Sequence, residues 1–95
     1  LTQYQRGRTK EYECKNQLER EGWTCFRMAG SHSSCDIIAI NNDVLRLIQV
    51  KYTSGQYKIS DDDITKFKAI KCPNCTIKEV WTYKKGNSVP SIIQL

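Results

Sequence analysis

Cys35-Asp-Ile-Ile-Ala-Ile-Asn-Asn-Asp-Val-Leu-Arg-Leu-Ile-Gln-Val-Lys-Tyr52 is the stretch on which the fold turns. Two apolar runs, 37–40 and 44–50, flank Asn41-Asn42-Asp43, residues suited to a tight turn, so the segment reads as a β-hairpin. Three polar groups interrupt it: Asp36, Gln49 and Lys51. Strands this apolar are normally buried, and a charge there costs free energy unless something pairs with it. A carboxylate, a carbonyl oxygen and an ammonium converging on one hairpin are what metal-dependent phosphodiester cleavage needs. Side chains alternate along the second strand, so Leu45, Leu47, Gln49 and Lys51 share one side, with Gln49 and Lys51 roughly 6–7 Å apart. Asp36 joins them if Ile40 pairs near Leu45, leaving 41–44 as the loop. A slip of one residue sends Asp36 to the opposite face.

Outward from the hairpin, the first helix is expected over Thr9–Glu21, ended by Gly22. Its inward positions are Cys14 and Leu18, and counting back three residues puts Glu11 on the same buried stripe. From there Glu11 is expected to reach the Asp36–Gln49 face from a helix packed on that face. Glu11, Asp36 and Gln49 then offer three oxygens and the Val50 carbonyl a fourth, a sparse set that suits magnesium, which keeps several waters. Lys51 would position the attacking water or neutralise the transition state. The first strand is expected over Trp23–Met28 and is followed by a small-residue loop, Ala29–Ser34. A loop over Thr53–Ile59 leads to Ser60-Asp-Asp-Asp63, an N-cap followed by acids in the first turn of a second helix reaching about Ile70. Two further strands, Thr76–Tyr83 and Ser88–Leu95, flank a turn at Lys84–Asn87. The order α-β-β-β-α-β-β gives an α/β (α+β) fold around one mixed five-stranded sheet flanked by helices. Residues 1–95 are read as a single domain. Trp23, Phe26 and Phe67 read as core.

Fifteen Lys and Arg against ten Asp and Glu give a net charge of +5, which favours an anionic partner, nucleic acid foremost. The excess lies at Arg6, Arg8 and Lys10 and around the second helix. No apolar stretch approaches the ~20 residues of a membrane span, and no secretory signal is visible. Five cysteines, an odd number, fit reduced thiols in a cytoplasmic setting. Cys72-Pro-Asn-Cys75 has the spacing of half a zinc site or a redox pair; other zinc ligands are not apparent, a helix-to-strand turn is the favoured reading over zinc, and a 72–75 disulfide stays open.

Asp36, a twelve-residue gap and Gln49-Val-Lys51 resemble the D…(D/E)-x-K motif of the PD-(D/E)xK nuclease superfamily, whose restriction-endonuclease-like core has the order αβββαβ. Within it the chain looks most like archaeal Holliday junction resolvases. The resemblance rests on Arg6-Gly-Arg8 with Glu11, Gly22-Trp23, Arg27-Met-Ala-Gly-Ser31 and Asp36, and covers about residues 6–52. Beyond residue 53 only the element order agrees. The departure is Gln49, where the family has an acid: the carbonyl ligand stays and a negative charge goes. The resemblance implies a Mg²⁺-dependent endonuclease (Mn²⁺ as a substitute), acting as a homodimer on four-way DNA junctions in a prokaryotic, archaeal or viral host. By the same carry-over Glu11, Asp36, Gln49, Lys51 and Ser31 would be catalytic. Ser31 and Arg27 would contact the phosphodiester near the cut, Arg6, Arg8 and Lys10 would hold backbone phosphates, and His32, a residue of the same loop, would bind DNA through a phosphate contact. An Mrr-like or repair nuclease acting on duplex or flap DNA, and a catalytically silent DNA-binding module, are the alternative readings.

Overall fold

The computed structural model describes residues 2–28, 34–55 and 59–95. Helix α1 spans Gln3–Arg20, strand β1 Thr24–Arg27, β2 Ile37–Ile40, β3 Leu45–Thr53, helix α2 Asp61–Lys68, β4 Thr76–Lys84 and β5 Ser91–Gln94. The strands form one sheet in the order β1-β2-β3-β4-β5, antiparallel except for the parallel β3–β4 pair. A parallel pair needs a crossover, and α2 supplies it.

Helix α1 begins six residues before the expected Thr9. Thr2 is its N-cap, accepting from the Gln5 amide, while the Gln5 side chain accepts from the Thr2 amide. This reciprocal capping box satisfies two orphan donors and carries the helix through Gly7. Arg6 and Arg8 are therefore helical residues and not an extended basic arm. At the other end Gly22 has φ 98°, its N–H bonds to Glu19 and the Trp23 N–H bonds to Leu18. That is a Schellman ending, and it needs the left-handed conformation glycine supplies.

The two faces of the sheet are covered separately. Helix α1 closes a core of Cys14, Leu18, Cys25, Ile37, Ala39, Ile48, Val50, Trp81 and Tyr83. Phe67 of α2 closes a second, with Cys35, Leu47 and Val80, against which Ile38 and Leu45 pack. Ser60 caps α2 by accepting from the Asp63 amide, as its sequence indicates. Phe26, expected in the core, is 56% exposed instead. It stands beside Ile38 on the face away from α1, where α2 lies over the β3–β4 strands and leaves β1 open. Trp23 is half-buried against the α1-side core. No described helix is long and apolar enough to cross a membrane.

Candidate active site

The hairpin has the anticipated register. Ile40 pairs with Leu45 and Ile37 with Ile48, and the Asn41 side chain accepts from the Asp43 and Val44 amides to shape the turn. At Asp36 the regular pattern breaks. The Asp36 N–H donates to the carbonyl of Ile48, the residue already paired with Ile37. Two successive residues thus face one across the ladder, the arrangement of a β-bulge. Packing agrees: Cys35 and Ile37, which would share a face in a regular strand, lie in the α2-side and α1-side cores respectively.

The bulge puts the Asp36 carboxylate near the plane of the sheet rather than on one face. Its Oδ2 accepts from the Val50 amide at 2.8 Å, and a backbone N–H of a strand points in plane, toward the neighbouring strand position. Here β2 has ended, so β3 presents an open edge and Asp36 closes it. From this position the carboxylate interacts electrostatically with groups of three other elements: Glu11 of α1, Arg27 of β1 and Lys51 of β3. Burial raises the Asp36 pKa, opposed by the Val50 hydrogen bond, Lys51 and Arg27. Glu11 is raised by burial and by Asp36, and lowered by Arg27, whose Nε donates to Glu11 Oε1 at 3.0 Å. Two carboxylates held up by burial, Glu11 also by Asp36, form a site whose ionised state a cation would favour.

Glu11 occupies the inward stripe of α1, three residues before Cys14, but not the face that holds Gln49. Helix α1 packs on the side of Ile37, Ile48 and Val50. By strand alternation Gln49 shares the side of Leu47 and of its partner Val80, toward α2. The single-face convergence of Glu11, Asp36 and Gln49 is thus corrected: Glu11 and Gln49 lie on opposite sides of the sheet, with Asp36 near its plane between them. Gln49 is 7% exposed, and its Oε1 has no hydrogen-bond partner among the described residues. That unsatisfied oxygen and the Glu11–Asp36 pair are the observations that fit a divalent cation. Among the described residues no three His, Cys, Asp or Glu side chains form a metal-holding group, consistent with an amide at position 49 where an acid would make the third.

Lys10 lies elsewhere on the same helix. Its ammonium pairs with Glu13 at 3.0 Å and lies 5.4 Å from the Tyr83 ring centre, away from Asp36. Arg8 is near the site, acting on Glu11 and lying 6.0 Å from the Tyr12 ring. Arg6 is half-buried on the same helix. Ser31 and His32 lie outside the described residues. Cys72 and Cys75 carry free thiols in the turn before β4, and Thr76 N–H to Pro73 O closes that turn.

Sequence reasoning missed Tyr12, whose ring centre lies 4.7 Å from the Arg27 guanidinium carbon. It also missed the Arg46–Glu79 pair. Arg46 donates through Nε (3.0 Å) and Nη2 (2.7 Å) to Glu79 Oε1 and lies 4.9 Å from the Trp23 ring. A buried-face arginine in an apolar strand, Leu45-Arg-Leu-Ile48, was the available signal.

The fold resembles the 1.6 Å structure of Archaeoglobus fulgidus Hjc, a Holliday junction resolvase from an archaeal hyperthermophile. The match has a TM-score of 0.70 at 20% identity and covers 90% of this chain and 71% of that one. No curated protein matches the sequence. The profile of the archaeal Holliday junction resolvase (Hjc) family matches residues 2–70, extending the resemblance past the hairpin and through α2. By that match the chain belongs to the archaeal Holliday junction resolvase family, a family of resolvase-like nucleases.

Proposed function

We propose that this chain is a Mg²⁺-dependent, structure-specific endodeoxyribonuclease that cuts four-way junctions as a cytoplasmic homodimer, with residues 1–95 acting as one nuclease domain. The observation that carries the reading is Asp36 at the open edge of β3, anchored on the Val50 amide with Glu11, Arg27 and Lys51 around it. Glu11 and Asp36 would hold the cation, Mn²⁺ substituting for Mg²⁺, with Gln49 Oε1 and the Val50 carbonyl as the neutral oxygens nearby. What the cation supplies is positive charge beside the scissile phosphate and a more acidic attacking water.

The protein's own groups do the rest. The Val50 amide fixes the Asp36 carboxylate, so its orientation costs nothing at the moment of reaction. Lys51, a flexible point charge with three donors, neutralises the charge that builds on the phosphoryl oxygens as water adds and the P–O bond breaks. Arg8 and Arg27 add cationic contacts to the backbone, with Arg6, Ser31 and His32 completing that track. Contacts of this kind read phosphate rather than base and weaken with salt. Junction preference then follows from the spacing of two such tracks across a dimer.

Incubation of a synthetic four-way junction with Mg²⁺, beside linear duplex and the Lys51→Ala variant, tests the reading. Symmetric nicks confined to the junction and lost with Lys51→Ala are expected. Equal cutting of duplex would assign a general repair or Mrr-like nuclease. Tight junction binding with no cut would assign a silent binding module, with Gln49 as the cause.

A further inference from the structure

Arg27 and Glu11 come from different elements, β1 and α1, and meet beside the candidate centre at 3.0 Å. Their side chains are only 17% and 20% exposed. The guanidinium carbon also lies 4.7 Å from the Tyr12 ring centre, within the range of a cation–π contact. One carboxylate that would serve the cation is therefore already neutralised by a cationic side chain. A guanidinium and a divalent cation compete for the same oxygens, and both cannot be fully satisfied by one carboxylate.

A guanidinium is equally suited to a phosphate, which it meets through a fork of parallel donors. Tyr12 is 41% exposed, so the Arg27–Tyr12 contact borders solvent, where a phosphate can reach it. We propose that Arg27 is a positioning residue that masks Glu11 in the DNA-free protein and releases it to the cation when a backbone phosphate takes the guanidinium. Cation loading and DNA binding are then coupled, which limits cutting-competent centres to protein on its substrate. This rests on the reading of Glu11 and Asp36 as the cation's carboxylates, and the test separates the two.

Mn²⁺ binding to the DNA-free protein is measured by calorimetry for the wild type, Arg27→Gln, Arg27→Lys and Asp36→Asn. Asp36→Asn is expected to lose the cation. If it binds Mn²⁺ like the wild type, the cation site itself is wrong. If Asp36→Asn loses Mn²⁺, the mask stands when Arg27→Gln binds about fivefold tighter or better than wild type while Arg27→Lys stays near wild type, and unchanged affinity in Arg27→Gln overturns it. Exchange is read in the wild type without any substitution. The Arg27 Nε–H resonance, followed by NMR in EDTA, moves as junction DNA is added when the ion pair opens. A resonance that stays in place while DNA binds elsewhere on the spectrum contradicts the exchange.

Discussion

Arg27–Glu11 and Arg46–Glu79 are the same two side-chain types, on the same side of the same sheet, put to different uses. Arg46 presents two donors to one Glu79 oxygen, Trp81 Nε1 approaches that oxygen at 3.4 Å, and the guanidinium lies 4.9 Å from the Trp23 ring and 6.0 Å from the Trp81 ring. The side chains are 14% and 11% exposed. Arg27 presents Nε to Glu11, is somewhat more exposed, and has a second carboxylate, Asp36, acting on its partner. The first pair is closed on itself and locks β3 to β4. The second is left electrostatically incomplete at an open strand edge, and incompleteness is what lets a ligand enter. Buried charge thus marks structure where the ion pair is closed on itself and candidate chemistry where it is not.

Substitutions at the two places are expected to split activity from stability. The largest effect is at the open edge: Asp36→Asn and Lys51→Ala each lower junction cleavage by about 10²–10³-fold in single-turnover assays. Both variants remain folded by circular dichroism. A loss of cleavage that tracks unfolding instead would erase the contrast. Next comes the closed pair. Arg46→Ala leaves Glu79 buried without its partner and costs about 3–5 kcal/mol in urea unfolding. Cleavage per folded molecule stays near wild type.

Position 49 sharpens the comparison from the other side. Gln49→Glu adds the missing charge to the centre, and calorimetry is expected to show Mn²⁺ affinity about tenfold higher, equivalent to roughly 1.4 kcal/mol. The same variant without cation melts lower, because a carboxylate replaces a neutral amide at a site 7% exposed. Unchanged Mn²⁺ affinity in Gln49→Glu would place residue 49 away from the cation. The smallest effect is the pH dependence. Burial raises the pKa of both Glu11 and Asp36 in the folded chain, so the native state binds these protons more tightly than the unfolded one. Their contribution to stability is then greatest in acid and is lost as pH rises through the raised folded values. In EDTA, the melting temperature of the wild type minus that of a Glu11→Gln/Asp36→Asn double variant falls from acid to neutral pH. A difference that rises would reverse the sign of both shifts.

The local rules of the chain made much of this readable. Asn41 to Asp43 fixed the hairpin turn, and alternation from Leu45 then set the register, because one slip would bury the wrong face. Ser60 with three acids announced α2, and Gly22 announced the end of α1. The start of α1 was readable too, since Thr2 and Gln5 have capping-box spacing, but Gly7 disguised it. What resisted reading depends on distant partners. The bulge at Asp36 arises from a bond to Ile48, and it sets the aspartate near the plane of the sheet. Arg46 finds Glu79 only through the parallel crossover, thirty-three residues on. Phe26 looks like core in sequence and is exposed because no helix reaches β1 on that side. For the candidate site, residue types were legible, whereas the division of Glu11 and Gln49 between two faces was a property of packing.

The most direct test is a crystal of the protein bound to a four-way DNA junction, soaked in Mn²⁺ and measured at the manganese edge. An anomalous peak bonded to the Asp36 and Glu11 carboxylates, with Arg27 swung off Glu11, is the predicted result. A peak elsewhere, or none beside Asp36 at saturating Mn²⁺, would contradict a cutting centre at the open edge of β3.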